Sequence, residues 1–210
     1  SVAINGPGGL AFDAEGRLLI AEAGSGTVKR FDGKAVSIVA GSTYGMAGDG
    51  GPATKAKFSA LGGIAFEKGQ LWLTDTSNRR IRRVGVDGNV STLTGQSSAI
   101  KLFEPGQAYD AMKAGIESMT GIALAPDGTP YVASGGTHQV LRLVDGKVEL
   151  VLGKDQGVDA NSDQGMLAAL LGGDEADPAK VLLRFPFGLA FDPKAAEPTL
   201  YMCDPGGLRV

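Results

Sequence analysis

Four polar residues occupy equivalent positions in the sequence, each at the end of a short apolar run, and they are the first candidates for chemistry. They are Glu22, Asp75, Ser134 and Asp204. A ring of carboxylates near a common axis could hold a cation or a polar ligand, although Ser134 would interrupt it. The alternative role is local, because a carboxylate in a tight turn accepts backbone hydrogen bonds and pairs with a nearby guanidinium. For Asp75 we predict this structural role, with Arg79 or Arg80 as the partner.

The chain has one histidine and one cysteine. His138 lies in a predicted loop at the position equivalent to Arg79. Because a catalytic zinc ion usually has about three protein ligands, often histidines, we expect His138 to be a polar surface residue. Cys203 lies in a predicted core strand, so we expect a buried, unreactive thiol.

An acidic segment resembles the start of a calcium-binding loop. Its candidate oxygen ligands are Asp155, Asp159, Asn161 and Asp163. An EF-hand is excluded, since Gln164 replaces the required glycine and Leu170 replaces the bidentate glutamate. A looser Ca²⁺ site and a plain acidic surface loop both fit the pattern. Apart from this candidate Ca²⁺, we expect no cofactor.

The segment Gly48-Asp49-Gly50-Gly51 lacks the Gly-Lys-Ser/Thr ending of a phosphate-binding loop. We expect its glycines to serve turns with positive φ and Asp49 to cap backbone N–H groups. The full set of candidate binding residues is Glu22, Asp49, Asp75, Arg79, Arg80, His138 and Asp204.

A repeat predicts the elements that position these residues. One phrase occurs four times, as Gly9-Leu10-Ala11-Phe12, Gly63-Ile64-Ala65-Phe66, Gly121-Ile122-Ala123-Leu124 and Gly188-Leu189-Ala190-Phe191. Three further β-rich runs follow each of the first three copies. Asp-Gly pairs separate the third and fourth runs and predict tight hairpins. Each unit is therefore a four-stranded antiparallel meander, and repeated meanders are typical of a β-propeller. Basic residues in the third strands predict one polar side for each sheet, at Lys29, Arg82, Arg83 and Arg142.

Long loops connect the fourth strand of one unit with the first strand of the next, over residues 41–62, 95–120 and 153–187. Each loop contains a short helix-like patch, at 53–58, 109–114 and 166–171. Since the three loops join the same pair of strands, we expect them on one face. We predict that this is the working face, because loops on a rigid scaffold usually carry function.

The composition excludes several classes of protein. Glycine accounts for 33 of the 210 residues, about twice its usual ~7%, which favours many tight turns. The 20 basic and 23 acidic residues give a net charge of −3, which argues against a nucleic-acid partner. A single cysteine excludes a disulfide within the chain. No apolar run approaches the ~20 residues that span a bilayer.

The second unit closely resembles an NHL repeat, and its Gly48-Asp49-Gly50-Gly51-Pro52-Ala53-Thr54 segment is similar to that of bacterial and extracellular members. The runs 63–66, 71–76, 78–84 and 88–95 carry the same resemblance. The match is clear in the first and third units and truncated in the fourth, so it covers nearly the whole chain. The resemblance implies a β-propeller, commonly of six blades.

We assign residues 1–210 to one propeller domain with blades at 7–41, 61–95, 119–153 and 186–210, the last of them without its fourth strand. Two arrangements fit this count. The chain belongs to a six-bladed ring whose other blades come from the rest of the polypeptide or from a partner chain, or Ser1–Ile4 closes a four-bladed ring. We favour the first.

The resemblance implies a non-catalytic binding or scaffold module that docks a protein, peptide or glycan on the face with the long loops. One alternative is a metal-dependent propeller enzyme, a lyase or lactonase-like hydrolase, with loop carboxylates around an axial cation. Another is an accessory subunit of a larger extracellular assembly. The repeat subtype implies a secreted, periplasmic or cell-surface protein.

Overall fold

The computed structural model describes residues 3–95, 102–153, 181–195 and 197–205, and these residues form an all-β fold. Within these ranges there is no α-helix, and short 3₁₀ turns lie at Ala53–Lys55, Thr76–Asn78 and Ala111–Lys113. None of the helices in the described part of the chain is long and apolar enough to cross a membrane.

The strands form antiparallel meanders in sequence order, as the repeat predicts. Blade 1 contains β1 (Pro7–Phe12), β2 (Leu18–Glu22), β3 (Thr27–Phe31) and β4 (Val36–Ala40). The next loop contains β5 (Thr43–Tyr44) and β6 (Lys57–Phe58). Blade 2 contains β7 (Leu61–Glu67), β8 (Gln70–Asp75), β9 (Arg80–Val84) and β10 (Val90–Thr92). After β11 (Ala108–Asp110), blade 3 contains β12 (Met119–Leu124), β13 (Pro130–Ser134), β14 (Gln139–Val144) and β15 (Lys147–Leu152). In blade 4 the structure describes β16 (Leu189–Phe191) and β17 (Leu200–Met202). The predicted third strand at 208–210 lies outside the described residues.

The first two long loops differ from the prediction in one respect, because part of each lies on the outer rim. Asp49 and Pro52 form β-bridges with Val90 and Asn89, alongside the outermost strand of blade 2. In blade 3, β11 pairs with β15 and makes the sheet five-stranded. The first two predicted helix-like patches are 3₁₀ turns, and the third, at 166–171, lies outside the described residues. The loops therefore cover strand edges that would otherwise be free to pair.

The first strands pack side by side in the order β1, β7, β12 and β16. Glycine makes this close approach possible. A Cβ added to Gly62 would lie 2.7 Å from the Met119 carbonyl oxygen, and one added to Gly63 would lie 2.7 Å from the Ile122 nitrogen. Real Cβ atoms do not approach backbone so closely, so larger residues here would push blades 2 and 3 apart.

The hydrophobic core lies between successive blades. Leu19, Ala21 and Val28 of blade 1 share one cluster with Ile64 and Leu73 of blade 2. A second cluster joins blades 2 and 3 and includes Ile81, Ile122, Val132 and Leu141. Blade 2, which contributes to both clusters, is thus covered on both sides.

Candidate functional site

The ends of the second strands meet the long loops on one face, which we call the loop face. Here lie the four equivalent residues Glu22, Asp75, Ser134 and Asp204. All four are buried. Each forms a hydrogen bond with the segment that precedes the first strand of its own blade. We call the contacted residues of these segments the corners. The corners are Asn5, Ser59, Glu117 and Arg184.

In blade 1, the Glu22 carboxylate accepts four hydrogen bonds. The backbone N–H of Asn5 donates to Oε1 at 2.8 Å, and Lys29 Nζ donates to the same oxygen at 2.9 Å. The hydroxyls of Ser25 and Thr27 donate to Oε2 at 2.6 and 2.8 Å. Burial alone would raise the pKa of this carboxyl, but these donors outweigh it and lower the pKa from 4.5 to about 2.

The lowered pKa of Glu22 predicts an acid-sensitive contribution to stability. A folded-state pKa below the unfolded value stabilises the protein above pH 4.5, and this stabilisation is lost as the pH falls toward 2. We expect Glu22→Gln to melt at a lower temperature than the parent at pH 7 and to show a smaller further decrease between pH 4.5 and pH 2.5. Melting curves across this range measure the effect, with Glu104→Gln at an exposed position as control. Parallel pH profiles for the parent and Glu22→Gln would contradict the assignment.

In blade 2, Asp75 makes the kind of local backbone hydrogen bond that was expected, but its ionic partner is different. The Ser59 N–H donates to Oδ1 at 2.7 Å, and Asn78 Nδ2 lies 2.9 Å from both carboxylate oxygens. The ion pair forms with Arg82, whose Nη1 lies 3.2 Å from Oδ2, so the predicted pairing with Arg79 or Arg80 is wrong. Burial raises the pKa of the Asp75 carboxyl, against the hydrogen bonds and the Arg82 charge.

Arg82 is the residue of this site that sequence reasoning missed. It was expected on a polar sheet side, yet it is buried, because both sides of blade 2 pack against other parts of the chain. Its Nη2 lies 2.7 Å from Asp49 Oδ1, and its guanidinium stacks over the Phe58 ring at 5.2 Å. Asp49 thus anchors its loop to the blade through Arg82. The sequence spacing could have indicated this ion pair, because Lys29 follows Glu22 in blade 1 at the same spacing at which Arg82 follows Asp75 in blade 2.

In blades 3 and 4 the equivalent residues bind their corners through different hydrogen-bonding groups. Ser134 is a donor, so its Oγ binds the carbonyl oxygen of Glu117 at 2.7 Å instead of an N–H group. Asp204 accepts the N–H groups of Arg184 at 3.0 Å and Phe185 at 2.7 Å. All four equivalent residues therefore fasten the loop face, whichever hydrogen-bonding group they carry.

Arg79 and His138 occupy equivalent positions, as predicted, and both have positive φ, at 55° and 57°. Arg79 Nη2 lies 3.4 Å from Glu117 Oε1 in a half-exposed ion pair. His138 Nδ1 hydrogen-bonds to the carbonyl oxygen of Arg184, so it links blade 3 to the corner of blade 4. Arg80 lies in β9, and its buried Nε has no hydrogen-bond partner in the described ranges.

The predicted Ca²⁺ ligands Asp155, Asp159, Asn161 and Asp163 lie outside the described residues. Among the residues that are described, no group of three or more His, Cys, Asp or Glu side chains is placed to hold a metal ion.

The loop face also presents large apolar side chains. Tyr44 and Met46 are 51% and 54% exposed, and Leu102 and Met112 on the next loop are exposed as well. The Tyr44 backbone is fixed by the pairing of β5 with β6, and its hydroxyl donates to the Ala23 carbonyl at 2.5 Å. Tyrosine and methionine exposed on a fixed backbone are typical of interfaces.

Two clefts lie on the opposite face, where the turns between first and second strands emerge. No sequence motif indicated these clefts. One, of about 230 Å³, lies between blades 1 and 2 beside Arg17, Arg30 and Phe66. The other, of about 360 Å³, opens among the first strands of blades 2–4 beside Phe66, Leu124 and Phe191.

No family model matches the chain, and no curated protein matches it in sequence. Solved structures do match. An auxiliary nutrient binding protein from Bacteroides thetaiotaomicron is 14% identical, with a TM-score of 0.66 over 96% of this chain and 46% of that one. An auxiliary nutrient binding protein from Bacteroides ovatus is also 14% identical, with a TM-score of 0.62 over 98% and 47%. A streptogramin B lyase is 13% identical, with a TM-score of 0.51 over 99% and 65%.

These likenesses confirm the β-propeller fold. The chain spans about half the length of the two nutrient binding proteins. The NHL resemblance stays a prediction.

Proposed function

We propose that the protein is a binding propeller that docks a protein, peptide or glycan on its loop face. The observation that carries the proposal is that Tyr44 and Met46 are exposed on a loop whose backbone is held in place by hydrogen bonds. The Gly45 carbonyl between them accepts hydrogen bonds from Asn78 Nδ2 at 2.8 Å and Ser59 Oγ at 3.3 Å. A rigid surface loses little conformational entropy when a partner binds, so apolar side chains on it contribute more of their burial to affinity.

The hydrogen-bonding pattern of the buried carboxylates favours binding over catalysis. The alternative of a metal-dependent enzyme needs loop carboxylates around an axial cation, whereas Glu22, Asp75 and Asp204 are each already bound to the backbone of their own corner. Two of the solved structures with this fold are described as nutrient binding proteins, which agrees with a binding role. An extracellular or surface location, implied by the resemblance, belongs to the same proposal.

The test is a binding screen with a matched pair of variants. The chain is applied to an oligosaccharide array and to a displayed peptide library, and each hit is measured again with Tyr44→Ser/Met46→Ser. We expect the affinity to fall at least about tenfold, as for loss of central interface side chains. Val86→Ser, at an exposed turn residue, is the control and should bind as the parent does. Hits that bind the double variant unchanged would refute the loop face as the binding surface.

A further inference from the structure

One position in the repeat places an arginine beside the contact between successive blades. In each of the first three blades, a second-strand residue that faces the following blade stands directly opposite an arginine of the third strand. The pairs are Leu19 with Arg30, Trp72 with Arg83, and Tyr131 with Arg142. The three arginines are therefore equivalent, and their surroundings can be compared blade by blade.

In blades 2 and 3 the chain itself supplies partners for this arginine. The Arg83 guanidinium lies over the Trp72 ring, 5.6 Å from its centroid. Arg142 donates to Glu149 Oε2 through Nε at 2.8 Å and through Nη2 at 2.7 Å. Hydrogen bonds with Glu149 and with Tyr131 raise the pKa of the Arg142 guanidinium above its ordinary value. An aromatic ring, a carboxylate or both thus complete the environment of the arginine.

Blade 1 has neither partner. Leu19 stands where the other two blades have an aromatic residue. Ser37 lies opposite Arg30 in the register that places Glu149 opposite Arg142, so the carboxylate is replaced as well.

Arg30 is accordingly left without a close partner in its own blade. In the part of the chain that the structure describes, no salt bridge and no cation–π contact involves Arg30. Asp32 attracts it electrostatically, but the Asp32 carboxylate accepts its hydrogen bonds from the backbone N–H groups of its own turn.

The cleft of about 230 Å³ between blades 1 and 2 lies beside this arginine. Its apolar walls are Leu19, Val39, Phe66, Leu71 and Val84. Arg17 also lines the cleft, but its Nε is already bound to Asp13 Oδ2 at 2.7 Å. A cavity of about 150 Å³ with apolar walls can hold a benzene molecule. The cleft therefore has room for an aromatic ring with a short acidic arm.

We propose that this cleft binds a small aromatic carboxylic acid. The ring takes the place that Trp72 has between blades 2 and 3, and the carboxylate pairs with Arg30 as Glu149 pairs with Arg142. One arginine can hold both groups, because the planar guanidinium stacks on rings and also binds carboxylates through two N–H groups. The site lies on the face opposite the loop face, so it is separate from the proposed docking surface.

Titration calorimetry with indole-3-acetate tests the proposal on the 210-residue chain. We expect saturable binding that is at least about tenfold tighter than that of indole or hexanoate, since each of these offers only one of the two groups. Arg30→Gln should weaken the binding of indole-3-acetate by at least about tenfold for the same reason. Arg142→Gln removes the equivalent arginine of blade 3 and should bind as the parent does.

A second variant tests the cleft without relying on Arg30. Leu19→Trp restores the aromatic residue of the repeat, so its side chain should fill the cleft and abolish binding. Because the indole enters space that is already open, the variant should melt no lower than the parent, whereas overpacking of a filled core would lower the melting temperature. Should Leu19→Trp not fold, the open space is refuted, and the Arg30→Gln titration still tests the charge.

Three results would overturn the proposal. The first is a parent chain without saturable binding of indole-3-acetate at millimolar concentration. The second is binding that Arg30→Gln leaves unchanged, or indole that binds as tightly as indole-3-acetate, because the carboxylate would then have no part in recognition. The third is tighter binding of the peptide Gly-Gly-Trp, which carries the same ring and carboxylate, because the ligand would then be the end of a polypeptide and not a small acid.

Discussion

Replacement of Gly95 by alanine is expected to lower the free energy of unfolding by about 2–5 kcal/mol, one of the two largest effects we predict. Gly95 lies shortly after the fourth strand of blade 2 with φ +79°, and an added Cβ would lie 1.8 Å from the Arg79 carbonyl oxygen. The left-handed conformation alone costs an alanine about 1–2 kcal/mol. The clash adds to this, because backbone atoms cannot rotate away as a flexible side chain does.

Gly88→Ala is the matched control for this prediction. Gly88 has φ +76°, and an added Cβ would meet nothing within 4 Å. It therefore carries the conformational cost without the clash, and we expect a loss of only about 1–2 kcal/mol. Urea denaturation of the two variants measures the difference. Equal losses would show that the close approach at Gly95 is not what makes glycine necessary there.

The same contact recurs in each complete blade. Gly41 faces the carbonyl oxygen of Gly26 at a hypothetical Cβ distance of 2.2 Å, and Gly153 faces that of His138 at 2.3 Å. In all three blades, the glycine that follows the fourth strand thus packs against the left-handed residue that precedes the third strand.

Removal of the Asp75 carboxylate is expected to have the second large effect, a loss of about 3–5 kcal/mol for Asp75→Ala. The substitution leaves the buried Arg82 guanidinium with Asp49 as its one carboxylate partner among the described residues and deprives the Ser59 N–H of its acceptor. For a chain of this size we expect the melting temperature to fall by roughly 10 °C.

Two further variants make the Asp75 prediction specific. Asp75→Asn keeps an acceptor for Ser59 and should lose less than Asp75→Ala. Glu149→Gln removes one partner of the exposed ion pair with Arg142, where Nη2 and Oε2 are 2.7 Å apart, and should lose no more than about 1 kcal/mol. An Asp75→Ala chain that melts within a degree or so of the parent would show that the carboxylate does not stabilise the corner.

The strand order was predictable from the sequence because the repeat marks it locally. The Gly-x-Ala phrase marks each first strand, since only small residues allow neighbouring first strands to touch. Asp32-Gly33 and Asp145-Gly146 mark hairpins because their backbone requirements are local. The backbone hydrogen bond of Asp75 was predictable because a carboxylate beside a tight turn has backbone donors within reach.

The environment of Arg82 was not predictable in the same way. Alternation of polar and apolar residues identifies a solvent-facing side only when one side of a sheet is exposed, and blade 2 is covered on both. The pairing with Asp49 joins residues from different elements, so no local pattern reports it. The expectation that Cys203 is buried was wrong for a related reason, because its burial depends on a neighbouring blade and not on its own strand.

The rim contacts of the long loops identify the piece of this protein that could be exchanged or duplicated. Residues 49–53 pair with the outermost strand of the blade that follows them, through the bridges to Asn89 and Val90 and the Ala53 N–H bond to the Gly88 carbonyl. A cut just before β7 would separate the blade from its own edge cover, whereas a cut at Gly41 keeps both together. The natural module for recombination is therefore the loop with its following blade, residues 41–95, and not the blade alone.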